Sequence, residues 1–108
     1  MRLILEDNSI HLQCTPSDVD RFHRESEVEE SIVFGDSFGD KLVIALRHSH
    51  SYEELDITLI ANELRITVPK FLAHEWATTD REGFGETIDV GEGRELHVWV
   101  EKYNPQEQ

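Results

Sequence analysis

Three groups of residues in this 108-residue sequence have types and spacings that do chemistry. Gly35-Asp36-Ser37-Phe38-Gly39 matches the G-x-S-x-G pattern, in which a strained strand-to-helix turn presents a serine beside an oxyanion hole. Asp80 or Asp89 and then His97 follow in triad order. No helical pattern follows the motif, however, and Asp89-Val90-Gly91-Glu92-Gly93 takes a similar place later on, so both segments read as glycine-bearing hairpin loops. His48-Ser49-His50 sets two imidazoles on one side of an extended chain. That fragment holds a metal if His97, His74, Glu53 or Glu54 supplies a further ligand. Glu29-Glu30 and the pair Asp36/Asp40 lack EF-hand spacing and read as a solvated strand face and turn residues. No P-loop, dinucleotide fingerprint or HExxH motif occurs, and no cofactor is expected.

Composition narrows the classes further. With 23 Asp and Glu against 10 Lys and Arg, the formal charge is -13, a field that opposes phosphate backbones and anionic lipid. Nucleic acid and membrane surfaces are therefore not expected partners. Protonation of all six histidines would take the charge from -13 to -7, relaxing self-repulsion in mild acid. Cys14 is the only cysteine, which rules out an intrachain disulfide and a cysteine-based zinc cage and suits a reducing compartment. No apolar window approaches the roughly 20 residues of a membrane span, and the opening Met1 to Leu5 is far too short for a signal-peptide core. A cytoplasmic location is expected.

The elements that must position these side chains repeat. Shifting the sequence by 54 residues brings Leu3 onto Ile57, Leu12 onto Ile66, Phe22 onto Trp76, Phe34 onto Ile88 and Leu46 onto Val100. Each half reads as strand, strand, helix, strand, strand. Asp7-Asn8 and Ala61-Asn62 serve as two-residue turns that set Leu5 opposite Ile10, Leu3 opposite Leu12, Leu59 opposite Leu64 and Ile57 opposite Ile66. Thr15-Pro16-Ser17-Asp18 starts one helix, with Val19 and Phe22 facing inward. A second helix starts at Pro69 with Phe71, Leu72 and Trp76 inward and ends near Thr78, and Asn104 to Gln108 should fray. The expected architecture is a single α+β domain over 1–108, with repeats 1–54 and 55–108. Two pseudo-symmetric ββαββ units would form a curled or barrel-like, mainly antiparallel eight-stranded sheet with two short helices.

Asn8-Ser9-Ile10 running into Leu12, Thr15 and Val19, and later Leu64-x-Ile66-x-Val68-Pro69, Trp76 and Val100-Glu101-Lys102, resemble a family of small bacterial proteins of unknown function. The resemblance implies a bacterial, cytoplasmic setting and brings no site, cofactor or activity with it. From the residues themselves, Val43, Ala45, Trp99 and Tyr103 form an apolar strand face turned away from the main stripes, which predicts a protein-interaction or dimerisation module, most simply a homodimer. The alternative is a metal- or small-ligand-binding protein using His48 and His50, with His97.

Overall fold

The computed structural model describes residues 1–37 and 39–105; Phe38 of the glycine-serine motif and residues 106–108 of the expected fraying end lie outside the described residues. Asp7 and Asn8 take positive φ of 45° and 58°, the mirror-image turn whose twist suits two antiparallel strands. It joins β1 (Arg2–Glu6) to β2 (Ser9–Cys14). Ala61, at φ 54°, opens the corresponding turn between β5 (Asp56–Ile60) and β6 (Glu63–Pro69). Both hairpins have the expected register, with Leu5 opposite Ile10, Leu3 opposite Leu12, Leu59 opposite Leu64 and Ile57 opposite Ile66.

Helix α1 (Pro16–Glu25) begins in a reciprocal cap. The Asp18 amide donates to Thr15 Oγ1 at 3.2 Å, and Asp18 Oδ2 accepts from the Thr15 amide at 3.0 Å, so two otherwise unpaired donors of the first turn are satisfied. Burial alone would raise the Asp18 carboxyl. The Thr15 amide, the Met1 amino group at 3.0 Å and the Thr15 hydroxyl outweigh it and hold the carboxyl below its ordinary 3.8. Helix α2 (Lys70–Thr78) follows Pro69 directly and has no such cap. Its buried residues are Ala73 and Trp76, matching Val19 and Phe22 of α1. Phe71, expected inside, is 70% exposed, because two residues of helix turn it about 200° from Ala73.

The remaining strands are β3 (Glu27–Val33), β4 (Lys41–Ser49), β7 (Gly83–Gly91) and β8 (Arg94–Lys102). They overturn the expectation of one curled or barrel-like, mainly antiparallel eight-stranded sheet. The eight strands form two separate, unclosed four-stranded mixed sheets, ordered β1-β2-β8-β7 (sheet I) and β3-β4-β6-β5 (sheet II). Each hairpin finds its neighbour in the opposite half of the chain. β2 runs parallel to β8 with Ile10 beside Val98, and β4 runs parallel to β6 with Ile44 beside Leu64. Parallel partners need a long crossover, so hairpin periodicity alone does not reveal them.

The two sheets map onto each other over most of their pairings. Adding 54 to Ile10 and subtracting it from Val98 gives the pair Leu64 and Ile44. The correspondence slips at β7, where four residues separate α2 from the strand but Ser26 alone separates α1 from β3. Val28 opposite Leu46 therefore corresponds to Phe84 opposite Val100, an offset of 56 on the first member, and Ile88 corresponds to Ile32 rather than to Phe34.

Contacts divide the chain into two compact units, residues 1–20 with 75 onward, and residues 21–74. In the first, Leu12, Cys14, Phe84, Val98 and Val100 form the buried face of sheet I, and Trp76 meets Phe84 edge-on at 5.2 Å. In the second, Val28, Ile44, Leu46, Ile66 and Val68 are buried, with Phe22 edge-on to His48 at 5.0 Å. Removal of the cap hydroxyl in Thr15→Ala is expected to lower unfolding stability by about 1 kcal/mol in urea titration; an unchanged midpoint would deny the cap its role.

Candidate binding faces

Residues expected to form one interaction face fall on different sheets. Val43 and Ala45 lie on β4 of sheet II, Trp99 lies on β8 of sheet I, and Tyr103 follows β8. Ala45 is fully buried, in register between Glu29 of β3 and Arg65 of β6, whose guanidinium is 2.6 Å from Glu63. Val43 is half-buried on the same side of the strand, beside Glu63. Tyr103 is half-buried, its amide bonded to the Cys14 carbonyl at 2.8 Å and its ring under the Arg2 guanidinium at 5.5 Å. Trp99 keeps 43% of its surface exposed.

The end of sheet II remote from Phe22 is apolar on one face and carries apolar side chains among Ser31, Lys41 and Glu63 on the other. Leu59, Leu64, Leu42 and Ile32 occupy one face, and Ile60 and Val43 the other, with Val33 and Phe34 where β3 runs out. Leu59, Ile60, Val33 and Phe34 are each about two-thirds or more exposed. Length explains the exposure on the face that carries Leu59 and meets Phe22: a nine- or ten-residue helix is about 15 Å long, against about 30 Å for a nine-residue strand such as β4.

The histidine candidates also separate. His48 closes the buried face of sheet II and is half-buried under Phe22. Burial first, and then the Lys70 ammonium, pushes its pKa below 6.5, against opposing hydrogen bonds with the backbone of Phe22 and His23. His50 Nε2 lies 3.0 Å from Lys70 Nζ, a cation where a metal would need to approach. His97, in the other unit, pairs through Nδ1 with Thr87 Oγ1 at 2.9 Å. Among the described residues no three His, Cys, Asp or Glu side chains gather as a metal cage. Ser37 lies in the loop from β3 to β4, where its amide donates to Asp40 Oδ2 and its carbonyl accepts from the Asp40 amide. The chain thus passes from strand to strand there, not from strand to helix as the nucleophile elbow requires.

Sequence reasoning missed a polar group on the outer face of sheet I. Parallel pairing puts His11 of β2 beside Trp99, and Gly85 of β7 lies on the other side. Glu101 Oε1 receives Gln13 Nε2 at 2.9 Å and lies 2.7 Å from His11 Nε2, while Trp99 Nε1 donates to Glu101 Oε2 at 3.3 Å. Led by the Gln13 bond, and then by Trp99 and His11, these contacts hold the Glu101 carboxyl below 4.5 against the opposing effect of burial. The alternation of β8 was readable; its neighbour was not.

The depressed His48 pKa sets a pH dependence with a definite sign. The unfolded chain takes up this proton near 6.5 and the folded protein only at lower pH, so stability falls as pH drops through 6.5 and levels off below the folded value. Urea midpoints from about pH 7.5 to about pH 5.5 should decline less in His48→Leu than in the parent; parallel declines would remove His48 as a source.

No curated protein and no solved structure matches the chain. A family described as "Family of unknown function (DUF7009)" matches residues 1–104. With all but the last four residues matched, the chain belongs to that family.

Proposed function

We propose that the chain is a non-enzymatic protein-interaction module that pairs with a second copy of itself through the free end of sheet II. The observation that carries the reading is the cluster of large apolar side chains left exposed there, with Leu59 68% and Phe34 73% exposed. Edge strands with large exposed apolar side chains invite pairing with another chain, and a self-complementary patch closes as a twofold dimer. Of the earlier candidate surface, Val43 belongs to this end. Each sheet takes one hairpin from each half of the chain, which supports reading residues 1–108 as one folding unit. The buried Cys14, outside any disulfide, accords with a reducing, cytoplasmic setting.

A charge of -13 per copy opposes association, so added salt should strengthen the dimer by screening it. Light scattering over a concentration series is expected to reach twice the 12.5 kDa chain mass. Burying either side chain contributes about 1.5–3 kcal/mol, so Leu59→Glu or Phe34→Glu should weaken the dimer at least about tenfold. A parent protein that stays monomeric at every concentration and salt level would overturn the reading.

A further inference from the structure

The two sheets have the same pairing scheme but differ sharply on their outer faces. On sheet II the row through Ala45 reads Arg65, Ala45, Glu29; on sheet I the corresponding row reads His11, Trp99, Gly85. One row down, Thr67, Arg47 and Glu27 give way to Gln13, Glu101 and Gly83. A Cβ at Gly83 would lie 2.8 Å from Trp99 Cζ2, and one at Gly85 2.6 Å from Trp99 Cε3. Glycine at both positions therefore lets the indole lie across β7, backed by main chain, with the rest of the ring open to solvent. Filling a gap beside glycine explains one side of the ring. It does not explain the ring of polar groups around the other.

Those groups border a depression of about 360 Å³ lined by Ser9, His11, Thr87, His97 and Trp99, near the lower end of the roughly 300–1,000 Å³ typical of ligand sites. Its chemistry selects among ligands. The surrounding charge of -13 disfavours phosphorylated or carboxylated molecules. A cation stacked on the indole would want a carboxylate beside it, but both Glu101 oxygens are already engaged, Oε1 by Gln13 and His11 and Oε2 by Trp99, and Glu86, the acid that also borders the depression, alternates to the face of β7 opposite Gly85 and Thr87. What remains is an apolar aromatic plate with hydroxyl and imidazole groups around its edge. That combination suits a ring with C–H groups on one face and hydroxyls at its rim.

We propose that the outer face of sheet I binds neutral saccharides, with Trp99 as the stacking platform and with His11 Nδ1 and His97 Nε2, the ring nitrogens not engaged by Glu101 and Thr87, and the remaining capacity of the Thr87 hydroxyl as hydrogen-bonding partners for ring hydroxyls. The site lies wholly in the first unit and is independent of the proposed dimer surface in the second.

The two tryptophans make a direct test. Trp76 is fully buried and Trp99 is not, so acrylamide quenching reports chiefly on Trp99. Cellohexaose, maltohexaose, xylohexaose and mannohexaose serve as probes, with tetramethylammonium chloride and inorganic phosphate as cationic and anionic controls. At least one hexasaccharide is expected to shield Trp99 from acrylamide and to bind calorimetrically with a dissociation constant of about 1 mM, as befits an open site. Trp99→Ala should weaken binding at least tenfold and Trp99→Phe less; His97→Ala, which leaves the platform intact, should weaken it severalfold and keeps the test valid if Trp99→Ala unfolds. Shielding by tetramethylammonium or phosphate in place of the sugars would overturn the saccharide assignment. No shielding by any probe, or binding unchanged in Trp99→Phe and His97→Ala, would overturn the site.

Discussion

The parallel contacts of β2 with β8 and of β4 with β6 are the pairings on which the rest of the structure depends. A two-stranded hairpin is at best marginally stable in water, and each half of this chain supplies two of them. The helix between those hairpins does not return the chain to the sheet it left. It carries the chain into the other sheet, where the incoming hairpin lies beside one from the opposite half. Without that exchange, Leu12 would lose Val100 as a neighbour and Ile66 would lose Leu46, residues that are all fully buried.

Once the exchange is in place, differences between the sheets acquire meaning. The inner faces repeat one another because both must exclude water, so Phe22 and Trp76, and Val28 and Phe84, exchange one apolar side chain for another at matching positions. The outer faces are under no such demand. Sheet II surrounds the small Ala45 with long charged side chains, and sheet I lays a large indole over bare backbone. A shared fold with diverging surfaces is the pattern expected when packing constrains one side and binding the other.

Local features were legible in the sequence because their causes are local. Alternation of Ile10, Leu12 and Cys14 with polar residues, two turn residues and a Thr-Pro-Ser-Asp helix start specify hairpin register and the α1 boundary through interactions spanning a few positions. The division into two sheets was not legible, since any of four hairpins with one apolar face can join another and the choice rests on parallel contacts 88 residues apart in sheet I (Ile10 with Val98) and 20 apart in sheet II (Ile44 with Leu64). The start of β7 at Gly83 was not legible either, because its first residues form a strand through the Phe84–Val100 pairing and not through intrinsic preference; glycine is a poor strand former. Ala45 pointed away from the main stripe as expected, but its burial by cross-strand neighbours required knowing that Arg65 lies beside it. The Glu101, His11 and Gln13 group stayed hidden for the same reason: its members are far apart in the chain and meet only across a parallel pair.

The exchange of hairpins between halves is most directly tested by nuclear Overhauser contacts in isotopically labelled protein. Cross-strand contacts in parallel register should link Ile10 with Val98 and Leu64 with Ile44, alongside the antiparallel contacts of the two turn-closed hairpins. Contacts joining β2 to β3 or β4 of its own half, with none reaching β8, would contradict the account.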